Sequence, residues 1–279
     1  MNSLFDSSIS APDETYLALR DNPIFSRERM YCESLWEKFS PFADSSFPHE
    51  FARQLHPRFF EMYLGNQLLE LGFSLLPRKT VTGPDLHFIY DKTHVWIEAT
   101  APDKGEGRDA VPDIFGHSRF EPIPEEKIIL RFTSSISAKK ERFIEYLKKG
   151  IVGLDDAYIV AINGRSIEMV RLDPAPIPAI VKSVYPVGEP TVIIDAQKLE
   201  IISEQYKYRN EVIKVNQSPV STRAFLDPTY SGISGVLYSD AALWDLPEQP
   251  GSEILYIHNY LADTPMKKGW MTGVKSSRC

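Results

Sequence analysis

"GPDLHFIYDKTHVWIEAT", residues 83–100, sets an aspartate directly behind a Gly-Pro pair and a glutamate near the end of an apolar run. The runs "LHFIY" and "HVWIEAT" are short, rich in aromatic and β-branched residues, and joined by "DKT", which predicts a β-hairpin. Side chains alternate along a strand, so Glu98 and Thr100 share one face with Trp96, while Val95, Ile97 and Ala99 take the other. Asp85 opens the first strand and Glu98 nearly closes the second, which makes them neighbours across an antiparallel ladder. Two carboxylates so placed repel each other unless a cation sits between them. A divalent metal is the simplest candidate, because hard cations such as Mg²⁺ take carboxylate oxygens and complete their shell with water and phosphate.

Upstream, "FARQLHPRFFEMYLGNQLLELGF" carries apolar residues at 60, 64, 68 and 71, which predicts a helix over about 57–71 with Gly72 at its C-terminal cap. Downstream, "KIILRFT" (127–133) predicts a third strand, "SAKKERFIEYLKKG" (137–150) a helix ended by Gly150, and "DAYIVAIN" (156–163) a fourth strand. Before this core, "ETYLALRDNPIFSRERMYCESLWEKFSPF" predicts two short helices broken at Asn22-Pro23. After residue 165 the chain is punctuated by prolines, with strands expected at "TVIIDA", "GVLYS" and "EILYIHN". The expected organisation is a helical extension over 1–50, an α/β core over 51–165, and a β-rich part over 166–279 that completes the sheet or covers the site.

The 279 residues, 43% hydrophobic and 25% charged, suit one large domain or two small ones. No apolar run reaches the roughly 18 residues of a membrane span, and the first residues lack a basic segment followed by an apolar one, so a soluble cytoplasmic protein is expected. Cys32 and Cys279 are too few for a disulfide framework or a thiolate metal site. A net charge of −7 argues against a general nucleic-acid coat protein, since such affinity rests on Lys and Arg. Local basic runs remain at 78–79, 139–149, 206–214 and 266–270, where a solvated helix face is the commoner reading, and Tyr206, Tyr208 and Trp270 stand near basic residues where bases could stack, although packing is the commoner role of such aromatics. No G-x-S-x-G elbow, Walker A loop or G-x-G-x-x-G is present, and His258 lacks a second His or Cys at metal-binding spacing.

A helix bearing a glutamate, then "GPD", then a hairpin ending in "IEAT", then strand, helix and strand, resembles the PD-(D/E)XK nuclease superfamily over residues 57–163. The resemblance implies a restriction-endonuclease-like mixed sheet flanked by helices, in the order helix-strand-strand-strand-helix-strand. It implies a nuclease that hydrolyses DNA or RNA phosphodiesters with Mg²⁺ or Mn²⁺, held by Asp85, Glu98 and a helix carboxylate, Glu61 in preference to Glu70. A homodimer is left open. The position of the family's lysine holds Thr100, and some members supply the missing cation from the following helix, where Lys139 is preferred to Lys140. The alternative is a nuclease-fold module without catalysis that binds nucleic acid or a protein partner.

Overall fold

The computed structural model describes residues 3–5, 12–78, 82–114, 122–172, 175–195, 197–271 and 275–276. Four helices come first: α1 (Glu14–Asp21), α2 (Ser26–Phe39), α3 (Phe47–Arg53) and α4 (Leu55–Glu70). A single 3₁₀ turn, Pro23–Phe25, separates the first two, as the Asn22-Pro23 break predicts. Helix α4 ends where Gly72 turns left-handed at φ 87°, with the amide of Phe73 donating back to the Leu68 carbonyl. The hairpin follows as β1 (Leu86–Tyr90) and β2 (Thr93–Thr100), turned by Asp91 and Lys92, both at positive φ as a two-residue turn requires.

The expected third strand is absent. "KIILRFT" is the first half of one long helix, α5 (Glu125–Lys148), which corrects the core order to helix-strand-strand-helix-strand. Local β preference loses to amphipathic burial here. Ile128, Phe132, Ile136, Phe143 and Tyr146 form one buried stripe, and Glu125 and Glu126 sit in the first turn, where the helix dipole favours acids. Helix α5 also supplies the crossover that β2 needs to reach its parallel neighbour, β3 (Ala157–Asn163).

Beyond β3 come α6 (Ala179–Lys182), β4 (Val187–Asp195), β5 (Glu200–Tyr208), β6 (Glu211–Ile213), β7 (Pro219–Ser221), β8 (Gly235–Ser239), β9 (Leu255–His258) and β10 (Lys275–Ser276). The central sheet runs β1-β2-β3-β8-β9-β10, with β2, β3 and β8 mutually parallel, β1 antiparallel to β2, β9 antiparallel to β8, and β10 parallel to β9. The fold is therefore α/β with a mixed central sheet flanked by helices, and β8–β10 extend that sheet. Strands β4 and β5 form a separate ribbon on which every residue of β5 is exposed, and β6 pairs with β7 alone.

Alternation on β2 divides the core as expected. Val95 and Ile97 pack with α1–α4 on one face, and Trp96 packs with α5 and α6 on the other. Strand β3, buried at all seven positions, lies between both layers. Trp270 is buried against Phe73, Phe88 and Tyr256, so it is a packing residue, whereas Tyr206 and Tyr208 are exposed on the ribbon. Among the described residues, no helix is long and apolar enough to cross a membrane.

Candidate functional site

The C-terminal ends of the parallel strands β2, β3 and β8 lie on one side of the sheet, the side on which open α/β sheets place their ligands. At the end of β2 a cavity of 570 Å³ is lined by Glu61, Asp85, Glu98, Thr100 and Lys139, among others. Five candidates from distant parts of the sequence thus meet at one place. The register Leu86↔Ile97 sets Asp85 and Glu98 as the next cross-strand pair. Helix α4 packs on the opposite face of the sheet from α5, so Glu61 and Lys139 reach the cavity from opposite sides.

Each carboxylate has a built environment. One Asp85 oxygen, Oδ2, accepts the Ala99 amide at 2.8 Å, which locks the side chain against the second strand. Its other oxygen, Oδ1, lies 3.4 Å from Nη1 of Arg78, and that same nitrogen is 3.0 Å from Asp44 Oδ2 and 3.8 Å from Glu61 Oε1. One guanidinium therefore stands among three acids. Arg58, one turn before Glu61 on α4, donates to Glu61 Oε2 at 2.6 Å, while Glu61 Oε1 is buried without a hydrogen bond. On the other side Lys139 donates to Glu98 Oε1 at 2.8 Å and the Tyr146 hydroxyl to Glu98 Oε2 at 3.1 Å. Lys140 turns away, its ammonium 4.5 Å above the Tyr230 ring, and Glu70 pairs with Lys38 on the surface.

Burial and then the charge of Asp85 raise the Glu61 carboxyl, against the pull of Arg58 and Arg78, to about 8. The same two causes raise Glu98 above the usual carboxylate range, against Lys139 and Tyr146. A carboxyl that holds its proton more tightly when folded costs stability as pH rises above its unfolded value toward its folded one. Thermal stability should accordingly rise as pH falls from about 8 toward 5, and Glu61→Gln should flatten that slope. Melting curves across this range check it; an identical slope in Glu61→Gln would assign the effect elsewhere.

Comparisons with known proteins assign no family. No family model, curated protein or solved structure matches the chain. The chemistry must be read from the side chains themselves. Among the described residues no group of three His, Cys, Asp or Glu is gathered to hold a metal ion. Arg78 lies beside both Asp85 and Glu61, and Lys139 lies on Glu98, so cations of the chain itself partly offset these acids. Metal ligation still suits the donor set, because its oxygens are hard carboxylates and the buried Glu61 Oε1 has no hydrogen-bond donor.

Sequence reasoning gave no role to Arg58, Asp44 and Tyr146, and noted Arg78, Arg142 and Lys149 only as members of basic runs, not as part of the cavity wall. Arg58 was legible as the i−3 neighbour of Glu61. Tyr146 shares the Lys139 stripe on α5. No local signal ties Arg78, in an irregular segment, to Asp44 thirty-four positions earlier.

Proposed function

We propose that this protein is a metal-dependent nuclease with a restriction-endonuclease-like core, acting on the phosphodiester bonds of DNA or RNA. The observation that carries the reading is Lys139 on Glu98, beside Asp85 and Glu61, in a cavity whose wall also bears Arg58, Arg78, Arg142 and Lys149. That wall suits a polyanion despite the acidic chain, since phosphate contacts require local cations rather than net charge. Arg142 and Lys149, on the outer part of the wall, would hold the backbone on either side of the scissile phosphate. Asp85, Glu98 and Glu61 would hold Mg²⁺ or Mn²⁺, which supplies charge neutralisation at the phosphate and a lowered pKa for bound water. Lys139 stands in for the lysine that Thr100 replaces, and its ammonium would orient hydroxide or balance the charge developing on the phosphate.

Lys139→Ala is expected to lower kcat by about 100-fold with KM changed less than about threefold, because a group used mainly in the transition state leaves ground-state binding intact. Lys140→Ala should leave both constants unchanged, since its ammonium sits over Tyr230. The test is steady-state cleavage of labelled single- and double-stranded DNA and RNA, with and without EDTA. Cleavage unaffected by Lys139→Ala would remove this role.

One observation favours a second reading, a nuclease-fold module that binds nucleic acid or a protein without cutting. Thr100 carries no charge, and Arg58, Arg78 and Lys139 already compensate the acids. Stabilisation by Mn²⁺ without cleavage of any substrate would decide for it.

A further inference from the structure

A second cavity, of 350 Å³, adjoins the first and shares Arg78, Thr82, Gly83 and Asp85 with it. Its wall is of another kind. Trp96, His87 and His94 come together on one face of the hairpin: His87 and Trp96 are direct cross-strand partners, and His94 precedes Trp96 by two positions. The His87 ring lies parallel to the Trp96 indole at 3.5 Å between centroids and 10° between planes, and the His94 ring lies edge to edge with His87, 5.0 Å between centroids and 30° between planes. Two hydrogen bonds fix the array, Trp96 Nε1 to Asp156 Oδ2 at 2.9 Å and His87 Nε2 with His94 Nδ1 at 2.8 Å. Pro77, Pro84 and Ile151 close the pocket with apolar surface.

A flat aromatic wall fixed in place, beside a cationic cavity and continuous with it, matches the two halves of a nucleotide: phosphate in one, base in the other. Resting on the nuclease reading, we propose that this pocket takes the unpaired base next to the phosphate held in the first cavity. The substrate class is then single-stranded or locally unpaired nucleic acid. In a duplex both faces of each base are covered by its neighbours, and presenting one to a ring costs unstacking. Stacking is indifferent to base identity, so the pocket selects strandedness and not sequence.

Equilibrium binding in EDTA, where nothing is cut, separates this inference from the reading beneath it. The probes are a labelled 16-nucleotide single strand, the same strand annealed to its complement, and a single strand of the same length carrying abasic sites throughout. The intact single strand should bind about tenfold tighter than either of the others, at the lower end of base–aromatic stacking. His87→Ala should bring the intact strand within about twofold of the abasic one without changing abasic binding, and His87→Phe should keep the preference. The exposed His94→Ala should weaken the preference in the same direction and serves if His87→Ala fails to fold. Equal binding of intact and abasic strands, or tighter duplex binding, would overturn the base pocket and leave the nuclease reading standing. Failure to bind all three would overturn the nucleic-acid reading itself.

Discussion

Asp85→Asn should abolish Mg²⁺- or Mn²⁺-dependent cleavage, a loss of at least about 1,000-fold, while the protein stays folded. The substitution keeps the size of the side chain and an oxygen to accept the Ala99 amide, so the hairpin geometry survives. It removes the charge that a divalent cation needs, and with it a repulsion felt by both Glu61 and Glu98. Cleavage assays belong beside thermal-shift titrations with Mn²⁺. Stabilisation of the wild type but not of Asp85→Asn, with no substrate cut by either, would favour the binding module. If Mn²⁺ shifts neither protein and neither cuts, the metal reading of these carboxylates is wrong.

The second large effect concerns stability. Arg78→Met should destabilise the fold by about 3 kcal/mol, because removing one partner from a buried ionic cluster leaves uncompensated charge behind. The Arg78 side chain is 12% exposed, its guanidinium is shared by Asp44, Glu61 and Asp85, and it also donates to the Gly83 carbonyl at 3.0 Å. Arg171→Met is the control. Arg171 pairs with Asp245 across a surface where both side chains are nearly half exposed, and such a pair contributes under about 1 kcal/mol. Urea unfolding measures both variants. A cost below about 1 kcal/mol for Arg78→Met would show that the three acids relax into solvent or share protons instead.

The hairpin and the crossover unit were legible in the sequence because their signals are local. Alternation around Trp96 and Ile97 divides the faces and "DKT" marks the connection, but the structure shortens the turn to Asp91-Lys92, with Thr93 already in β2, and that register aligns Asp85 with Glu98. The stripe of Lys139, Phe143 and Tyr146 likewise identifies the face of α5 that meets the sheet. Over 127–133 the same reasoning failed, because a short run of Ile and Leu satisfies a buried strand and a buried helix face equally well. There the deciding signal was length, since the apolar stripe continues to Tyr146. The role of Arg78 was illegible for a different reason: its three carboxylate partners come from the segment between α2 and α3, from α4 and from the bend just before β1, and only the assembled fold brings them around one nitrogen.

The contrast between β3, buried throughout, and β5, exposed throughout, implies a wide spread of local opening free energies within one chain. Amide hydrogens of β3 exchange with solvent only when the whole sheet comes apart, whereas those of the β4–β5 ribbon exchange through fraying of two strands. Limited proteolysis is therefore expected to cut the β4–β5 ribbon well before β3, leaving the β1–β2 hairpin intact after the cut.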